Sequence, residues 1–210
     1  SSIHSNQNLC FDFKGNDPMP DSLKGCNIIY PKDIEPLLKN HPELHKIWDK
    51  IPNWVTRCDI ARYLFLYYNT GTYLDSDCFR MKPIPKDIIK SANVILYTEG
   101  IMIPVGPRED KSITLRIANF AMTSLKSKQR FWLECIDESI KRVTSILNNE
   151  WTNNDVIWSA GPGMVSEVYN KLNNKKEIIV VDSTYMNHQR AGSWRNKTKN
   201  YGKKLQDQSL

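Results

Sequence analysis

At 210 residues and 40% hydrophobic composition, the chain can bury a full core and has the length of one domain rather than several. Its formal net charge of +6 is spread thinly, with only residues 190–204 locally basic, a pattern that suits an anionic ligand or tail as well as nucleic acid. Five cysteines without a CxxC pair exclude a zinc knuckle and a complete disulfide framework, and no run approaches the roughly 20 apolar residues of a membrane-spanning helix.

In chain order, prolines at 18, 20, 31, 36, 42 and 52 break up the first quarter, so its helices are expected to be short, over 33–40 and 43–50. From residue 54 to 68 the apolar positions Ile60, Tyr63, Leu64, Tyr67 and Tyr68 follow the spacing of a buried helix face, with Gly71 where a C-terminal cap belongs. Thr72-Tyr73-Leu74 then reads as a strand that breaks into Asp75-Ser76-Asp77. Strands are expected over 93–98 and 101–105, and over 112–117, where Ile113, Leu115 and Ile117 alternate. The longest helix is expected over 127–147, with Ser127 as N-cap. Gly161-Pro162-Gly163 opens another helix running to Leu172, and 177–181 is an apolar strand ending in Asp182. A helix feeding a strand implies an α/β layer. The expected organisation is one domain over 1–199 with a basic, loose tail over 200–210.

An acidic triplet in a loop is most often just solvated. Here, however, Asp75 and Asp77 follow a buried strand, and ligands of open α/β sheets bind outside the carboxyl ends of strands. Hard oxygen donors at alternate positions, completed by diphosphate oxygens, suit Mg²⁺ or Mn²⁺. Asp59 and Arg62 lie three residues apart, hence on one helix face, in an otherwise apolar and aromatic segment. They read either as a local ion pair or as ligands for a polar group, and their closeness to Asp75 and Asp77 favours a sugar.

The run Asp59-Ile60-Ala61-Arg62-Tyr63-Leu64, followed by Gly71-Thr72-Tyr73-Leu74-Asp75-Ser76-Asp77, resembles the DXD signature of a glycosyltransferase family. This is the family 32 type, which includes yeast-type α-1,6-mannosyltransferases and capsular polysaccharide transferases and, more distantly, the clostridial glucosylating toxins. Gly161-Pro162-Gly163 is similar to its Gly-Pro element, and His188 with Gly192-Ser193-Trp194 to its closing His and Ser-Trp motif. Asn119 is similar to an Asn placed near the donor sugar, and Ile3-His4 to the end of a first strand. Two departures stand out: Thr70-Gly71-Thr72 keeps one glycine where the family usually has two, and no second strand is recognisable between Lys14 and Ile51.

The resemblance implies a GT-A fold, Rossmann-like, with a mixed sheet flanked by helices, and a retaining, metal-dependent transfer of a hexose from a nucleotide-diphosphate sugar to a glycan or protein hydroxyl. It assigns Asp75, Asp77 and His188 to Mn²⁺ or Mg²⁺. Asp59, Arg62 and Tyr73 go to the donor sugar and Asp75 to the ribose. Ser193 and Trp194 close over the diphosphate, and Asp59, Arg62 and Asn119 flank the reacting centre. The donor is a UDP- or GDP-hexose. The alternative is a catalytically silent nucleotide- or glycan-binding module of the same fold. A basic C-terminal region with Trp194 and Tyr201 also raises nucleic-acid binding, but such charge runs are mostly solvated faces and no nucleic-acid partner is expected. The compartment is open between the cytoplasm and a secretory lumen, where the sequon Asn196-Lys197-Thr198 would matter.

Overall fold

The computed structural model of the chain describes residues 8–11, 27–75, 78–80, 82–99 and 106–188. The expected strand over 101–105, Ile3-His4 and the basic tail lie outside them. Strands β1 (Asn8–Phe11), β2 (Asn27–Ile29), β3 (Gly71–Leu74), β5 (Val94–Thr98), β6 (Ile117–Ser124) and β7 (Ile178–Val181) form a mixed sheet in the order β2-β1-β3-β6-β5-β7. β1 is parallel to β2 and β3, and β5 to β7, while β6 is antiparallel to both β3 and β5. Reversal of β6 puts its first residues beside the carboxyl end of β3, where the acidic triplet begins. β2 is the second strand that the sequence did not reveal: three residues are too few to show a period.

Helices α1 (Pro31–Leu38), α2 (Pro42–Trp48), α3 (Trp54–Tyr68), α5 (Arg130–Ile146), α6 (Asn153–Ser159) and α7 (Pro162–Lys171) contribute to the layer on one face. The short α4 (Lys86–Ser91) precedes β5, and β4 (Cys78–Arg80) pairs with β8 (Met186–His188) after a 3-10 turn at Ser183–Tyr185. Side chains alternate across β5: Val94 and Leu96 join the core under the helices, Ile95 and Tyr97 the core on the opposite face.

The helix that carries Asp59 and Arg62 is buried nearly all round, with Ile60, Ala61, Tyr63, Leu64 and Leu66 fully covered. Burial of each such aliphatic side chain contributes roughly 1.5–3 kcal/mol. Asn53 starts α3 by accepting the Thr56 N–H through its side chain at 2.7 Å. The cap at its other end is Asn69, not Gly71. Gly71 instead opens β3 at φ 139°, a conformation only glycine adopts readily, so the single glycine stands where the backbone requires it.

Two other expectations are corrected. Residues 113–116 have no regular structure, because Asp110 accepts from both the Ser112 N–H and hydroxyl and turns the chain there. The strand is β6, beginning at Ile117 and buried at every position. The longest helix starts at Arg130 with Gln129 as N-cap rather than at Ser127, since Lys128 turns to φ 59° and donates its N–H to the Tyr67 carbonyl at 2.6 Å.

Candidate active site

Alternation along β3 directs Tyr73 into the core beneath the helices, so its phenol meets α3. The Arg62 guanidinium lies 4.3 Å from the Tyr73 ring centre, and the Tyr73 hydroxyl donates to Asp75 Oδ1 at 2.6 Å. Arg62 reaches both carboxylates, Asp59 Oδ1 through Nη2 at 3.0 Å and Asp75 Oδ1 through Nη1 at 3.2 Å. Nη1 also donates to the Asn119 carbonyl at 2.5 Å, and Nε to Cys58 O at 3.4 Å. The Asn119 side chain donates from Nδ2 to Asp59 Oδ1 at 3.0 Å and to the Tyr63 hydroxyl at 3.2 Å. Tyr63 in turn donates to the Ala160 carbonyl at 2.5 Å. One network therefore joins α3, the end of β3, the start of β6 and the turn before α7.

The Arg62 and Asp59 side chains are 5% and 7% exposed whereas Asp75 is 30% exposed, so of the two paired carboxylates Asp75 is the one that meets solvent or a ligand. Burial, reinforced by the charge of Asp75, raises Asp59 to about 7 against the opposing pull of Arg62 and the Asn119 hydrogen bond. Burial works against the Arg62 charge, but Tyr73, Asp75 and Asp59 outweigh it and hold the guanidinium above its ordinary value. Burial pushes the Tyr73 phenol up, which keeps it a donor to Asp75.

The Asp75 carbonyl accepts the Cys78 N–H at 3.0 Å. Cys78 then pairs with His188 across β4 and β8, so the backbone of His188 lies opposite the residue that follows Asp77. Among the described residues no three His, Cys, Asp or Glu side chains converge on a metal position. Asp77, Ser193, Trp194 and the side chain of His188 lie outside them. Asp75 nevertheless offers a partly exposed carboxylate at a strand end, a hard oxygen donor of the kind a divalent cation takes.

A second buried ionic cluster adjoins the same turn. Glu109 pairs with Arg116 at 2.7 Å, and Arg142 pairs with Glu167, whose other oxygen accepts the Asp110 N–H at 2.9 Å. These contacts clamp residues 106–116 onto α7. No spacing pattern pointed to them, because charges distant along the chain carry no period. Tyr63 was missed for a different reason: the helical spacing counts it as one more apolar position.

Residues 4–96 match the family model described as a glycosyltransferase sugar-binding region containing a DXD motif. The chain carries a DXD-type glycosyltransferase region. That region holds Asp59, Arg62, Tyr73, Asp75 and Asp77, while Asn119, the Gly-Pro-Gly turn and His188 follow it in the chain. The solved PaToxG glycosyltransferase superposes on the chain with a TM-score of 0.52, covering 98% of it and 80% of the solved chain, at 13% sequence identity. At that identity the likeness speaks for the fold, a GT-A-type mixed α/β sheet. No curated protein sequence matches the chain. Among the described residues, no helix of this glycosyltransferase is long and apolar enough to cross a membrane.

Proposed function

We propose that the chain is a metal-dependent, retaining glycosyltransferase that moves a hexose from a UDP- or GDP-sugar to a hydroxyl of a glycan or protein. The observation that carries this reading is Arg62 bridging buried Asp59 and partly exposed Asp75 at the carboxyl end of β3. The bridge ties Asp59, Arg62 and Asp75 into one hydrogen-bonded group, which supports reading the first two as the sugar-binding pair and Asp75 as the diphosphate-side carboxylate. Asp75, Asp77 and His188 would hold Mn²⁺ or Mg²⁺, which supplies the Lewis acidity that neutralises the departing diphosphate. Asp59 and Arg62 bind hydroxyls of the donor hexose, with Tyr73 fixing the rotamer of Asp75. Asn119, which hydrogen-bonds Asp59, would stand at the reacting centre, and Ser193 and Trp194 would cover the diphosphate. Developing positive charge on the sugar is met by Asp59 and by the Asn119 amide. Proton removal from the acceptor falls to the leaving phosphate, so no enzyme nucleophile is invoked. Retention follows the family resemblance.

The silent-module alternative drew on a missing second strand and a lost glycine. Both motives weaken, since β2 pairs in register with β1 and Gly71 occupies the one strained position of the α3–β3 connection. Titrating UDP and GDP into the protein with and without Mn²⁺, beside Asp77→Ala, tests the metal-dependent part. One nucleotide should bind at least tenfold more tightly with Mn²⁺, and the variant should lose that gain. Equal binding under all conditions would refute metal dependence.

A further inference from the structure

Hydrogen bonding around Tyr63 has only one possible direction. The Ala160 carbonyl can only accept, so the single hydroxyl proton goes to it at 2.5 Å, and the hydroxyl lone pair receives from Asn119 Nδ2 at 3.2 Å. Burial, then the charge of Asp59, pushes the phenol well above its ordinary range, so the proton stays in place. Asn119 gives its other amide proton to Asp59 Oδ1 at 3.0 Å. With both N–H groups engaged, the amide cannot turn over without losing two hydrogen bonds, and Oδ1 is its only polar atom outside the network. A phenylalanine would fill the same covered space, and Tyr63 is fully buried, so packing alone does not call for the hydroxyl.

We propose that Tyr63 is a positioning residue for sugar transfer: by joining the Asn119 amide to the Ala160 carbonyl, it holds Asn119 in the orientation that supports Asp59 and leaves Oδ1 as the group available to the donor sugar. This rests on the proposed glycosyl transfer and adds to it a residue that touches no substrate. The same bond fastens the turn before α7 to the middle of α3, so the polar network and the Gly-Pro-Gly element move as one body.

The test is steady-state donor hydrolysis by the wild type, Tyr63→Phe, Asn119→Ala and the double variant, with thermal midpoints alongside. Tyr63→Phe should lower kcat about tenfold, the scale of a misoriented group at a reacting centre, with donor KM within about twofold. Adding it to Asn119→Ala should cost nothing further, because Tyr63 acts through Asn119. Losses that multiply in the double variant, an unchanged kcat in Tyr63→Phe, or a change confined to KM would each overturn the proposal. Asn119→Asp provides a check that does not depend on Tyr63→Phe folding. It puts an acceptor where the network needs a donor twice, so it should lose at least as much activity as Asn119→Ala, and full activity would overturn the assignment. A wild type that hydrolyses no donor would overturn glycosyl transfer and this proposal together, whereas an active wild type with an indifferent Tyr63→Phe would overturn this proposal alone.

Discussion

The Tyr73 hydroxyl donates to Asp75 Oδ1 at 2.6 Å, so a strand residue pointing into the core fixes the carboxylate that follows the strand. Arg62 stacks on the same ring and binds the same oxygen, which leaves the Asp75 rotamer determined by two buried groups. Tyr73→Phe keeps the ring and loses the donor. It should lower donor kcat/KM about tenfold, the effect of one charge-assisted hydrogen bond, and shift the thermal midpoint little. Steady-state kinetics with a melting curve checks this.

Asp59 gives the enzyme a pH signature. Its carboxyl is raised from 3.8 to about 7, chiefly by burial, so the folded protein holds a proton there that the unfolded chain has released. Between about pH 4 and 7 the folded state therefore binds more protons, and stability falls as pH rises, with a slope approaching ~1.4 kcal/mol per pH unit from this group. Activity should run the other way. If Asp59 works as a carboxylate, kcat/KM rises with pH to a plateau above about 7. A pH–rate profile and urea midpoints at pH 5, 6, 7 and 8 measure both trends.

Glycine at 163 is required by contact rather than by dihedral angle. A Cβ there would sit 2.3 Å from Glu109 Oε1 and 2.9 Å from the Ile157 carbonyl oxygen. One of these is backbone and the other is held by Arg116, so neither yields without loss. Gly163→Ala should destabilise the protein by about 2–3 kcal/mol, as overpacking and a disturbed buried ion pair combine. Urea denaturation is the readout.

Lys128 sets two local effects against each other. Its φ of 59° costs a non-glycine residue about 1 kcal/mol, while its ammonium lies 3.8 Å from the Tyr68 ring centre and 4.8 Å from that of Tyr67. Lys128→Ala keeps the strain and loses the ring contacts, so it should destabilise by ~1 kcal/mol. Lys128→Gly loses both and should stay within ~0.5 kcal/mol of wild type. Equilibrium unfolding of the two variants separates the terms.

Parts of this architecture were legible because local spacing dictates them. The helix over 54–68 announces itself through Ile60, Tyr63 and Leu64, and Asp59 with Arg62 stands out as a polar pair on one of its faces. The short α6 had a readable signal that went unread: Thr152 and Asp155 form a capping box, the side chain of each accepting a backbone N–H of the other. Others were hidden by tertiary context. β6 is buried on both faces, so it shows no alternation, whereas the alternation leading up to Ile117 runs through residues 113–116, which form no strand. Asn119 reaches Asp59 only because β6 runs against its neighbours, and nothing in the sequence states a strand's direction. The role of Tyr63 depends on a backbone carbonyl 97 residues away.

The most direct measurement is release of nucleoside diphosphate from a panel of UDP- and GDP-hexoses incubated with Mn²⁺, with Asp77→Ala in parallel. Hydrolysis of one donor, lost in the variant, is the predicted result and would also name the sugar. A folded protein that turns over none of them, or an Asp77→Ala variant with full activity, would contradict the account.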